Sequence, residues 1–234
     1  VGDALLRPHR LAIGGYDVVD GRLRRTSRVE LDVDGAVTDV PQLAGAPRPA
    51  LLLVNDDDLA YAKIRLDAPS RSTAIAHLSD FEESLPATLV WSAAWDQMRD
   101  AEMPGRTFVD LILSNISAVE DPSVAQTLLR QLAGTLEFYV APEHRTSTVA
   151  AAADRLQVLL EAAEPGSDTQ LLMARSFAAQ ATTREQLEVL SGLLAGTLQI
   201  DGLAVDTDLR WSLLVALVAG DAAGEPDIAA ELAR

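Results

Sequence analysis

The chain has 234 residues, 48% of them hydrophobic, no cysteine and a formal net charge of −16. That length allows one large domain or two small ones, with enough apolar residues for a core. The charge argues against nucleic acid or an anionic membrane as partner, since both need a basic face, and the lack of cysteine removes disulfides and thiolate metal sites.

No apolar run approaches the roughly 18 residues of a membrane span. The first ten residues carry three charges and no apolar core, so a signal peptide is not expected. Charge is unevenly spread. Residues 1–67 hold nine Lys/Arg and eleven Asp/Glu, whereas residues 68–234 hold ten and twenty-four. The secondary-structure signals change at the same place.

In the first part, Leu11 and Ile13, then Val29, Leu31 and Val33, fall on alternate positions, the period of a half-buried strand. Asp20-Gly21 and Asp34-Gly35 are turn signals, because Asp-Gly tolerates the positive φ of tight hairpins. Pro41, Pro47 and Pro49 mark an irregular connection. A further strand pair is expected over Leu51–Val54 and Tyr61–Leu66.

The second part reads as α. Ser84 precedes a segment in which Leu85, Val90, Trp91, Ala94, Trp95 and Met98 form an apolar stripe. Asp121-Pro122 is an N-cap followed by proline at the first helical position. Ser167 with Gln170, and Thr182 with Glu185, fit the capping box. Trp211, Leu214, Val215 and Val218 form another stripe, stopped by Gly220. Alternate strong starts, near residues 84, 122, 168 and 207, recur at about the ~40–47-residue period of HEAT or armadillo-like helix pairs. A non-repeating helical bundle is the alternative. The fold class is therefore α+β and mainly α, with a β domain over 1–67 and a helical solenoid over 68–234.

Several residues are weighed for chemistry. Asp56, Asp57 and Asp58 are carboxylates suited to a hard cation, but three adjacent turn residues cannot converge on one ion. A solvated hairpin loop with Asn55 is the expected reading. Glu30–Gly35 matches the start of an EF-hand loop, yet Pro41 stands where a bidentate Glu is required. His9, His77 and His144 show no H-E-x-x-H spacing, and Glu143-His144 is placed in the loop before a helix. Gly14-Gly15 is too short to cradle phosphate. Arg99 and Arg210 have the fork geometry to meet a peptide carboxylate, although a solvated role or an intrahelical pair is expected of each. No residue is assigned as catalytic, cofactor-binding or metal-binding.

The stretch "LLLVNDDDLAYAKIRLD", residues 51–67, resembles the zinc aminopeptidases of the aminopeptidase N family, bacterial members in particular. "SLPATLVWSAAWDQMRDAEMPGRTFVDLIL", "LLRQLAGTLEFYVAPEHR" and "VDTDLRWSLLVALVAGDAAGEPDIAAELAR" resemble the family's helical C-terminal domain, in the family's order. The resemblance implies that Asn55–Asp58 is the turn between the last two strands of a small β-sandwich. It implies an α-α superhelix that shapes and covers the substrate cavity. The family's H-E-x-x-H and G-x-M-E-N motifs are not in this sequence, so zinc and the catalytic domain are expected outside it. The implied partners are the protein's own N-terminal catalytic domains and a peptide substrate, in the cytoplasm. A stand-alone helical-repeat module that binds peptides or proteins is the competing reading. The helical pattern still runs at Arg234, so the helical domain is expected to be truncated. Ile228 and Leu232 would then border an apolar patch through which weak self-association is opposed by the charge.

Both Trp91 and Trp95 are expected in helix packing, where Trp→Ala typically costs ~3–5 kcal/mol. Thermal melts of W91A and W95A check this. Unchanged melting temperatures for both would make the pair a ligand platform instead.

Overall fold

Asp20 and Gly21 join the first two strands, β1 (His9–Val19) and β2 (Arg22–Val33), and both take left-handed φ, 51° and 76°. This is the backbone that Asp-Gly tolerates and most L-residues resist. A third strand, β3 (Leu51–Asp56), pairs antiparallel with β1, giving a three-stranded sheet of order β2-β1-β3. The computed structural model describes residues 6–234. Residues 1–5, the start of the expected β domain, lie outside the described residues. The chain divides into two compact units that meet at Met103 and Pro104.

The first unit holds the sheet and two helices, α1 (Ala68–Ala76) and α2 (Ser84–Arg99). Its core contains Leu11, Tyr16, Leu23, Leu51, Leu53 and Trp91. At its centre is a carboxylate. Asp56 is 0% exposed, receives the Tyr16 hydroxyl hydrogen at 2.7 Å, and pairs with Arg25 Nη1 at 2.9 Å. Gly14 makes room for it. A Cβ on Gly14 would lie 2.7 Å from Asp56 Cγ and 2.7 Å from the Tyr16 ring. Burial, followed by the bond to Asp56, raises the pKa of the Tyr16 hydroxyl. The bond to Asp56 does most to raise that of Arg25.

Two expectations for this region are corrected. Leu51–Val54 is a strand, but its partner is β1, and Tyr61–Leu66 joins no strand. Asn55–Asp58 is accordingly not a hairpin turn. Asn55 is the extra residue where the β1–β3 register slips between Ala12 and Ile13, with φ 59°. Its buried side chain takes over pairing, accepting from Ala60 N at 2.9 Å and donating to Ala60 O at 2.7 Å. Segment 61–66 is held by side chains: Lys63 pairs with Asp100 at 2.8 Å, and Arg65 with Asp100 and with Glu102. Ile64 and Leu66 are buried.

Asp67 caps α1 by accepting from Ser70 N, and Ser70 Oγ in turn accepts from Leu52 N of β3. Asp67 is thus where the backbone turns from extended to helical. In α2, Val90, Trp91, Ala94 and Met98 are buried as expected. Leu85 is exposed, and Trp95 is half-buried with the Arg99 guanidinium 5.7 Å from its ring centroid.

The second unit is helical: α3 (Gly105–Asn115), α4 (Pro122–Phe138), α5 (Pro142–Ala162), α6 (Asp168–Gln180), α7 (Arg184–Ala195), α8 (Thr207–Ala219) and α9 (Glu225–Leu232). Successive helices pack in pairs, α3 with α4, α5 with α6 and α7 with α8, and α6 also touches both α4 and α8. Asp121 accepts from Ser123 N at 2.8 Å and Asp206 from Leu209 N at 2.8 Å, so both cap their helices. Ser167 caps α6 as expected. The cap of α7 lies one residue later than expected, on Thr183, because the buried Gln186 Oε1 draws in the amides of both Thr182 and Thr183. On α8 the expected stripe is also corrected: Leu209, Leu213, Leu214 and Leu217 are buried, whereas Val215 is 63% exposed. The helix is apolar nearly all round, so periodicity does not single out its core side. Across both units the chain is mainly helical, with a small antiparallel sheet.

Tyr16→Phe is expected to lower stability at neutral pH by about 1–3 kcal/mol, the scale of a hydrogen bond to a buried charge. Because folding raises the pKa of Tyr16, its contribution is full below the unfolded value near ~10 and is lost as pH rises beyond it. Urea unfolding at pH 7 and pH 10.5 checks both points: the wild-type chain falls with pH more steeply than Y16F. Gly14→Ala is expected to destabilise through steric displacement of Asp56.

Candidate functional site

The aspartate run is not a cation site. Asp56 is committed to Tyr16 and Arg25. Asp57, with φ 66°, pairs with Arg25 at 2.6 Å and with Arg28 at 2.7 Å, and these bonds hold its carboxyl below the usual carboxylate range. The pairs continue across the sheet from Arg28 to Glu30, then to Arg10 and Asp32. Only Asp58 is exposed, so the expected solvated loop describes that residue alone. Asn and Asp suit this stretch because they tolerate left-handed φ and their side chains bond locally.

The histidines lie apart. His9 starts β1, and His77 Nδ1 is 2.9 Å from Asp80. His144 lies inside the first turn of α5 and not in a preceding loop; Pro142 begins the helix there, the position proline prefers. Among the described residues no group of three or more His, Asp or Glu side chains is placed to hold a metal ion. A catalytic zinc therefore does not fit the described residues of this chain.

The two weighed arginines differ. Arg99 is exposed, with its guanidinium over the Trp95 ring. Arg210 was expected to be solvated or paired within its helix, but it forms a two-pronged bridge to Glu231 of α9, both bonds 2.6 Å, and donates to Leu194 O at the end of α7. The Glu231 side chain is 8% exposed. Arg210 holds its carboxyl below the ordinary range, with Arg234 adding to the effect.

The second unit instead presents a groove across α4, α6 and α8. One lobe, of about 810 Å³, runs between α6 and α8 along Arg175, Trp211, Val215 and Ala216. A smaller lobe, of about 260 Å³, lies between α4 and α6 along Leu129, Arg130 and Leu172. Arg175 and Ala179 line both. Sequence reasoning missed this site. The one signal was the α8 stripe, whose half-buried Trp211 and exposed Val215 line the larger lobe. Apolar walls with a few polar groups are what a ligand groove requires.

A family model described as ERAP1-like C-terminal domain matches residues 51–234. Over 234 residues the chain is 51% identical to Aminopeptidase N of Streptomyces lividans. The match takes in 100% of this chain and spans 27% of that relative's length. No helix among the described residues is long and apolar enough to cross a membrane.

Folding depresses the pKa of Glu231, so its pairing stabilises α9 fully above the unfolded value near ~4.3 and is lost as pH falls through the folded one. Amides of residues 225–232 should therefore lose protection at pH 3 relative to pH 6, after correction for intrinsic exchange, ahead of those in α8. Glu231→Gln should remove most of that pH dependence. Equal protection of α9 at both pH values would show that the bridge does not hold it.

Proposed function

Because the chain belongs to the ERAP1-like C-terminal domain family, we propose that it is the non-catalytic C-terminal portion of a zinc-dependent aminopeptidase, where it shapes and covers the substrate cavity. The observation that carries this is the 51% identity along the whole chain to an Aminopeptidase N of which it spans 27%. In this reading residues 1–67 are the end of a β-sandwich domain and residues 68–234 a helical domain. The pairs α3/α4, α5/α6 and α7/α8 build a short HEAT/armadillo-like superhelix. Contacts of α6 with both α4 and α8 support a layer formed by the second helix of each pair. Zinc and the groups that activate water belong to catalytic domains outside this sequence, which holds no H-E-x-x-H. The protein acts in the cytoplasm on peptides, and this chain's part is to restrict their access.

A graft tests the proposal. This chain replaces the matching C-terminal part of the Streptomyces lividans relative, and hydrolysis of alanyl and leucyl amides is compared with that of the relative lacking that part. Activity should return in the graft. This chain alone should cleave neither amide and take up no stoichiometric zinc. A folded graft no more active than the shortened relative would overturn the proposal and favour a stand-alone binding module.

A further inference from the structure

Three Asp-Gly pairs occur in the sequence, and each follows a β-branched apolar residue: Val19-Asp20-Gly21, Val33-Asp34-Gly35 and Ile200-Asp201-Gly202. Aspartate before glycine carries a latent reaction. Glycine has no side chain to keep the neighbouring carboxyl group away from its amide nitrogen, and its backbone turns freely. The nitrogen attacks Cγ of the aspartate and closes a five-membered imide. In a folded protein this requires rotation about the aspartate Cα–C bond, which swings the peptide onto the side chain. The local sequences are nearly equivalent, so the fold decides which pair has that freedom.

At Asp20-Gly21 the turn is closed by the strand ladder. Val19 pairs with Arg22 across it, both turn residues hold left-handed φ, and Asp20 Oδ2 lies 3.9 Å from Arg24. Rotation there would undo the hairpin. Asp201-Gly202 is held by packing. The Asp201 carbonyl accepts from Gln170 Nε2 at 2.8 Å, and a Cβ on Gly202 would collide with Gly166 N. Rotation would push the peptide off both. Asp34-Gly35 has neither restraint. The β1–β2 ladder ends at the pair His9–Val33, and residues 34–37 are exposed, Val37 by 84%. A Cβ on Gly35 would meet nothing within 4 Å. Among the described residues the Gly35 amide has no hydrogen-bond partner. The Thr38 hydroxyl accepts from the Asp34 amide at 3.2 Å and donates to the Asp34 carbonyl at 3.1 Å. Of these two bonds only the second opposes the rotation.

We propose that Asp34-Gly35 is a site of spontaneous backbone modification in the folded protein, where aspartate converts to isoaspartate. The Gly35 nitrogen bonds Asp34 Cγ, and the acid's hydroxyl leaves with the amide proton as water. Water then adds back to an imide carbonyl. Opening at the main-chain carbonyl leaves the chain running through the former side-chain carbon, with the carboxylate now on Cα. Nothing is oxidised or reduced, and the net composition is unchanged. The main chain gains one methylene just beyond β2. Because the ladder stops at Val33 and residues 34–37 are exposed, the sheet keeps its pairs and the modified chain stays folded. The inference is independent of the aminopeptidase reading.

The test incubates the full chain at neutral pH, folded in buffer and unfolded in guanidinium chloride, until the unfolded sample has converted measurably at all three pairs. Peptide mapping with fragment ions diagnostic of isoaspartate reads each pair. Unfolded, the three should convert at similar rates. Folded, Asp34 should keep most of its unfolded rate and carry most of the isoaspartate. Asp20 and Asp201 should fall about tenfold or more below their unfolded rates, since local opening must come first. Asp34→Glu should remove most of the isoaspartate of the folded chain, because the longer acid would have to close a six-membered ring, and circular dichroism should show that variant folded. Four results would each overturn the proposal. These are a folded Asp20 or Asp201 that converts as fast as Asp34, a folded Asp34 that is silent while its unfolded counterpart reacts, total isoaspartate unchanged in D34E, and unfolded rates that already rank Asp34 far ahead.

Discussion

A carboxylate buried inside a three-stranded sheet is the constraint from which the first unit follows. An unpaired buried charge costs several kcal/mol, so Asp56 must be partnered on both oxygens. Tyr16 supplies one partner from β1 and Arg25 the other from β2. The carboxylate also needs space beside the strand it crosses, which Gly14 leaves open. Asn55 then sets the register slip that precedes Asp56, and its amide closes on Ala60 as a strand would. One side chain thus accounts for a glycine, a tyrosine, an arginine and an asparagine from three strands. Arg25 also bonds Asp57, so the pairing runs from the buried centre to the surface of the sheet.

The helical unit obeys a looser rule. Its helices are set by caps and by leucine-rich faces, and its packing is mostly between sequence neighbours and next-but-one neighbours. Such packing leaves one face of α4, α6 and α8 uncovered among the described residues. Carboxylates crowd elsewhere on the unit and are missing from this face. The separation of charge is therefore a property of the surface and not of the core, which contains leucine, alanine, methionine and phenylalanine.

Local chemistry was the most legible part of the sequence. The Asp20-Gly21 turn, the Asp121-Pro122 start and the Ser167 cap each depend on residues within a turn of one another. The errors arose where a distant partner decides. Tyr61–Leu66 alternates like a strand, but Lys63 and Arg65 are taken by Asp100 and Glu102. The aspartates look solvated until Arg25 and Arg28 are brought across the sheet. Arg210 looks like a surface residue until α9 supplies Glu231. The groove was illegible for the same reason, since its lining comes from three helices and its defining feature is a residue type that is missing. The family resemblance was carried by residues spread over 51–234, the same span that the family model matches.

Gln170 and Gln186 share a device with a kinetic consequence. Each sits at the third position of its helix, 2% exposed, with its side-chain oxygen accepting backbone amides at its own helix start. Each side-chain nitrogen reaches away, Gln170 to the Asp201 carbonyl and Gln186 to the Ala150 carbonyl and Asp154. The oxygen bonds can form as soon as a single turn nucleates. The nitrogen bonds wait for a segment roughly thirty residues distant. Glutamate in these places would keep the local half and lose the remote one, having no hydrogen to give. The amide therefore ties the start of each helix to its docking against a distant segment, so a single residue answers for both.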